Sequence, residues 1–248
     1  MRRLALATVG LLVAAASSAV AADLPARTYT KAPAALSAVY DWSGFYIGAN
    51  GGGGWSHTCW TTSIVPTARE GCHDATGAVV GGQAGYRWQS DSWVLGVEAQ
   101  GDWANLRGSN ASLLAPATTN RSTVNALGLF TGQVGYAWNS VLWYVKGGAA
   151  LTNDKYQGLA TATGAAIDQA SDTRWGGTVG TGVEFGLAPN LSAAVEYNHM
   201  FMGNSSVSFN SVAPPVGVFS RTDSVGQNVD VVSARVNYRW GGPVVGKW

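Results

Sequence analysis

The sequence points to an all-β chain, eight antiparallel strands closed into an up-and-down transmembrane β-barrel. Three features carry that expectation. The final strand, over residues 229–240, puts Val232, Ala234, Val236, Tyr238 and Trp240 on one face and Ser233, Arg235, Asn237 and Arg239 on the other, because successive strand side chains point to opposite sides. Connections along the chain alternate long and short. Tryptophans gather on the apolar face at strand ends, where amphipathic rings prefer the lipid headgroup level. Alternation alone would also suit a soluble barrel with its apolar face inside. The aromatic bands choose between the two, since a soluble core would hold its largest residues at mid-strand.

Composition agrees. Only 12% of the 248 residues are charged and 33 are glycine, which suits coiled strands and tight turns better than a helical enzyme. Arg2 and Arg3, a short apolar run over 4–16 and small residues over 17–22 read as a signal peptide cleaved after Ala21 or Ala22. Its apolar run is too short to span a bilayer as a helix, and no later stretch reaches about 18 apolar residues. Without residues 1–22 the basic count falls from 15 to 13 against 14 acidic, a balance of −1, so nothing suggests a nucleic-acid partner.

In chain order, residues 23–42, with Pro25 and Pro33, read as an extended periplasmic linker, and 43–248 as the barrel domain. The first strand, 43–55, sets Phe45, Ile47, Ala49 and Trp55 against Tyr46 and Asn50. A polar loop over 57–76 holds Cys59 and Cys72. Strands over 77–88 and 92–103 form a hairpin with Val80, Ala84, Trp88, Trp93, Leu95, Val97 and Trp103 on one face and Gln83, Arg87, Glu98, Gln100 and Asp102 on the other. After a second long loop, 105–122, the strands 123–138 and 141–151 flank a tight turn at Asn139 and Ser140. Leu127 and Leu129 interrupt the polar set of the first of these. A third loop, 152–173, precedes strands over 174–187 and 191–202, joined at 188–190. The loop 203–228 leads into the last strand, and a tail, 241–248, follows it. Both chain ends then lie on the short-turn side, which is periplasmic in outer-membrane barrels. Trp88, Trp93, Trp138, Trp143, Phe185 and Trp240 form the girdle beside the short turns, with Trp55 and Trp103 in the opposite one.

The runs SGFYIGANGGGGW, VGGQAGYRW, WVLGVEAQGDW, VGYAWNSVLWYVKGGAAL and VNYRWGGPVVGKW resemble the alphaproteobacterial outer-membrane β-barrel surface proteins. That is the "porin family" group within the OmpA-like transmembrane-domain superfamily. The resemblance covers essentially the whole chain and implies an eight-stranded barrel at the cell surface. It also implies partners: outer-membrane lipid and lipopolysaccharide, and the barrel-assembly machinery and periplasmic chaperones during biogenesis. That machinery reads an aromatic-rich terminal strand, here marked by Tyr238 and Trp240. Where the family often carries two inward arginines in the fourth strand, this chain has Thr131 and Gln133.

Candidate chemistry is sparse. Arg87, Glu98, Asp102, Lys146, Glu184, Glu196, Arg235 and Arg239 fall on the inward set, four acids and four bases. An eight-stranded bore is just wide enough for its side chains to fill, so these charges read as a salt-bridge network, with a narrow ion path as the alternative. Cys59 and Cys72 read as a disulfide in an exported protein. A zinc site with the flanking His57 and His73 is the alternative. No cofactor is implied. His199, with Ser205 and Ser206 nearby in sequence, is the one candidate for catalysis, but it falls on the lipid-facing set and no paired carboxylates support it. The reading is a structural, surface-exposed envelope protein, not an enzyme. A narrow channel and a recognition surface built from the loops are the alternatives.

Overall fold

The computed structural model describes residues 40–63 and 67–240. The signal peptide, residues 23–39 of the linker and the tail lie outside the described residues. Eight strands follow in order: β1 (Gly44–Thr62), β2 (Ala68–Ser90), β3 (Trp93–Ala111), β4 (Thr118–Trp138), β5 (Val141–Ala160), β6 (Ala166–Ala188), β7 (Leu191–Ser211) and β8 (Phe219–Trp240). Each pairs antiparallel with the next, and β8 returns to pair with β1 from Phe45↔Trp240 to Thr62↔Asp223. Closure leaves no strand edge to face lipid, where an unpaired N–H or C=O would cost several kcal/mol (an order of magnitude, about the transfer cost of an amide).

Two-residue turns join β2 to β3, β4 to β5 and β6 to β7, all at one end. Asp91 and Asn139 open two of them with φ of 53° each, a left-handed conformation that Asn and Asp tolerate better than other non-glycine residues. The apolar sets face outward. Leu95 and Val97 of β3 are 56% and 52% exposed, and Trp93 and Trp103 bracket them. The aromatics beside the tight turns pack edge to face, as in Trp93–Tyr136 and Tyr238–Trp240. At the other end Trp55 and Trp103 are joined by Trp175 and Phe201, also exposed on the wall.

The four long loops are mostly strand, which corrects the sequence reading. Strands run 19–23 residues, about twice the 9–11 that cross a bilayer. The connections shrink to 63–67, 112–117, 161–165 and 212–218. Beyond the outer girdle the outward face meets water instead of lipid. Its residues turn polar, and a strand polar on both faces looks like a loop. Trp42, read as the end of the linker, is instead buried at the periplasmic mouth with Val94, Ala137, Leu142 and Tyr144, its amide donating to Gln89 Oε1 at 2.7 Å.

The two faces differ in what they tolerate. Val97→Arg and Val236→Arg, both on the lipid wall, are expected to cost about 2–4 kcal/mol if near the midplane. Gln83→Arg enters the bore, where Asn50 links Gln83 to Asp102, and is expected to cost less. Urea refolding titrations in lipid vesicles check this; equal penalties would contradict the facing.

Candidate functional site

The bore is the place where chemistry collects, and all eight strands feed it. Glu98 of β3 and Glu196 of β7 face one another across it. Lys146 of β5 reaches both, with Nζ at 3.1 Å from Glu98 Oε1 and 2.6 Å from Glu196 Oε1. Arg235 of β8 also pairs with both carboxylates. Two acids and two bases thus form a neutral ring whose four side chains are fully buried. Two tyrosines complete it: Tyr46 donates to Glu98 Oε2 at 2.7 Å and Tyr144 to Glu196 Oε2 at 2.6 Å. Each tyrosine lies over a glycine of the neighbouring strand, Tyr46 on Gly85 and Tyr144 on Gly182, where a Cβ would come within 2.6 Å of the phenol ring.

On the periplasmic side of this ring Arg87 pairs with Glu184 at 2.8 Å. Its guanidinium stands over Tyr46 at 4.5 Å, a cation–π contact in a dry setting. Ser192 and Asn237 donate to the same Glu184 carboxylate. Two of the eight expected network members stand apart. Asp102 has no ion pair among the described residues and is held by amide donors, Asn50 at 2.9 Å and Gln100 at 2.8 Å. Arg239 closes the periplasmic mouth, donating to the carbonyls of Ser43 and Pro189 at 2.8 Å each, with Asp41 at 3.6 Å.

Above the ring comes an apolar layer that sequence reasoning missed: Val79, Leu106, Val124, Leu127, Leu129, Met200, Val229 and Val231 fill the bore. Leu127 and Leu129 are part of this plug, not faults in the alternation. A second polar layer crowns it. Arg221 meets Glu70 at 3.1 Å, Asp168 at 3.0 Å and Asp223 at 3.0 Å. Its guanidinium stands 4.7 Å from the Phe209 ring, with Trp60 beside it. These residues lie in stretches whose sequence pattern reads as loop. For Asp223 and Arg221 the signal is the two-residue register of β8, which runs unbroken inward through Asp223, Val225, Gln227, Val229 and Val231.

Asp223 lies well above Asp230, which pairs with Trp55 of the outer girdle, and so stands outside the membrane. Burial, with Glu70 and Asp168 adding to it against the pull of Arg221, pushes its carboxyl up to about 6. The folded state therefore holds this proton more tightly than the unfolded chain. The resulting stabilisation is full below about pH 4 and is lost as pH rises through about 6. Asp223→Asn is expected to leave the loop-side end of β8 better protected than wild type above about pH 7, with the difference gone below about pH 4. Hydrogen exchange of the β8 amides, corrected for intrinsic rates, measures this.

The cysteines lie on the outer wall. Cys59 of β1 and Cys72 of β2 are cross-strand partners, joined as a disulfide with Cα atoms 4.1 Å apart. His57 is on their face, but His73 points into the bore and bonds Asn110. The zinc alternative thus loses one of its ligands. His199 stands on the outer wall, where its Nδ1 lies 2.6 Å from Asp230. Ser205 bonds Asp172 instead. Tyr238 and Trp240 are on the lipid face at the periplasmic girdle.

The Outer membrane protein beta-barrel domain family matches residues 7–240. This chain belongs to that family. It is an integral β-barrel protein of the outer membrane. No curated protein matches the sequence. Among solved structures, the outer membrane protein OprG from Pseudomonas aeruginosa is 14% identical, with 80% of this chain and 97% of that chain covered and a TM-score of 0.50. Neisserial surface protein A is 20% identical over 80% and 98%, with a TM-score of 0.39. The outer membrane protease OmpT from Escherichia coli is 8% identical over 79% and 97%, with a TM-score of 0.49. At these identities the likeness to OprG supports the fold alone.

Proposed function

We propose that this chain is a structural, surface-exposed protein of the outer membrane whose bore is closed. The observation that carries this reading is the layering of the bore. A neutral ionic ring lies between the buried aromatic cluster around Trp42 and the apolar plug around Leu127 and Leu129. An ion crossing it would have to break paired, desolvated charges and then pass an apolar constriction. The charges of the ring and the Arg87–Glu184 pair serve as fixed partners for one another rather than as a selectivity path. The reading gives the chain no enzymatic role: His199 meets Asp230 on the outer wall while Ser205 bonds Asp172 instead, and no cofactor has a role in it.

The sequence resemblance supports a finer placement, among the alphaproteobacterial surface proteins of the OmpA-like group. It also supports lipopolysaccharide and lipid as the standing partners, with the assembly machinery and chaperones as transient ones. Planar-bilayer recording of the refolded protein in concentrated KCl tests the reading. Wild type is expected to give no unitary steps, while Leu127→Ser combined with Leu129→Ser provides a loosened comparison. Reproducible steps from wild type would establish the channel alternative.

A further inference from the structure

The outer wall of β1 and β2 carries a square of four side chains. Cys59 stands opposite Cys72, and two residues nearer the membrane His57 stands opposite Asp74. The square lies beyond Trp55, above the girdle, and faces water. His57 Nδ1 is 2.7 Å from Asp74 Oδ1, and His57 Nε2 is 3.4 Å from Cys59 Sγ. The carboxylate thus fixes which ring nitrogen faces the sulfur, as it does wherever a carboxylate orients an imidazole. Both groups are open to solvent, with His57 and Asp74 side chains 61% and 72% exposed. The two sulfurs are not equivalent: Cys59 is half-buried beside the histidine, and Cys72 is exposed. The strands on either side of the bond are already held by the ladder up to Thr62↔Ala68.

We propose that Cys59–Cys72 is a directional, exchangeable disulfide that reacts with thiols outside the cell. A thiolate attacks Cys72 Sγ and forms a new S–S bond there. The Cys59–Cys72 bond breaks, and its electron pair leaves on Cys59 Sγ. Protonated His57, held by Asp74, delivers its Nε2 proton to that sulfur. The products are a mixed disulfide at Cys72 and a thiol at Cys59. A second equivalent of the same thiol, as reductant, releases Cys72 and leaves as the oxidised disulfide. Alternatively, Cys59 returns as nucleophile, closes the original bond and expels the first thiol. The direction follows from leaving-group stability, since the sulfur whose anion is better stabilised departs faster.

Reduced glutathione is the probe, used on full-length protein refolded in vesicles and checked for heat-modifiable mobility. Acid quenching, alkylation and peptide mass mapping locate the adduct. Glutathione is expected on Cys72 and the alkyl group on Cys59. His57→Ala is expected to slow the first step roughly tenfold, because the Cys59 sulfur then departs with no acid beside it. Asp74→Asn is expected to slow it less. Normalised to the glutathione thiolate concentration, the wild-type rate is expected to vary with pH and the His57→Ala rate to stay flat. An adduct on Cys59, or a His57→Ala variant with the wild-type rate and pH profile, would overturn the proposal.

Discussion

Arg235→Met is expected to destabilise the folded barrel by about 3–5 kcal/mol, the usual cost of stripping one partner from a buried ion pair. Arg235 holds both Glu98 and Glu196. Without it, Lys146 alone faces two carboxylates, and a net negative charge is stranded in a dry layer. Methionine keeps the packing of the lost stem, so the stranded charge is the larger part of the cost and the space left by the guanidinium the smaller. Charge balance can be restored from the other side. Adding Glu98→Gln leaves Lys146 with Glu196, one base with one acid, and is expected to recover most of the loss. Urea titrations in vesicles of single and double variants measure both effects. A double variant no more stable than Arg235→Met would show that the ring does not work as a charge-balanced unit.

Removal of the chain from Val229 onward is expected to abolish assembly in the outer membrane. That stretch pairs with β1 from Phe45↔Trp240 to Ser56↔Val229 and with β7 from Leu191↔Tyr238 to Met200↔Val229. Its loss opens two edges at membrane depth, which no lipid can satisfy. It also removes Arg235 from the ring and Val229 and Val231 from the plug. Trp240→Asp is the finer probe. Trp240 is on the lipid face at the girdle, edge to face with Tyr238 and opposite Phe45. The substitution leaves the ladder intact, so its effect reports on recognition of the terminal strand by the assembly machinery. Little heat-modifiable protein is expected in outer-membrane fractions, with the exported chain degraded in the periplasm. Wild-type abundance of folded Trp240→Asp protein would refute a role for that residue in the signal. Loss of assembly on deleting 246–248 alone would shift the signal to Trp248.

The eight strands, their order and the facing of side chains between the two girdles were legible from residue pattern. The two-residue period is built into the backbone of every strand, and lipid on one side makes it visible as an apolar face. Val97, Val236 and the girdle tryptophans show it plainly. The same cue failed where its cause was absent. Above the outer girdle Thr222, Ser224 and Asn228 meet water, so β8 loses its apolar face and its first half reads as loop. Glu70, Asp168, Arg221 and Asp223 were missed with it.

What no local pattern contains is who meets whom across the bore. Arg235 and Glu98 are 137 residues apart, and Lys146 and Glu98 are 48 apart. They become neighbours because closure of β8 on β1 sets one stagger for the whole ring. The same closure separates Asp102 and Arg239 from the ring although they share its facing, and gathers Leu127 and Leu129 with Val229 and Val231 into a plug. Facing is a property of each strand's own covalent geometry. Partnership is a property of the closed cylinder, fixed by the register of eight ladders at once.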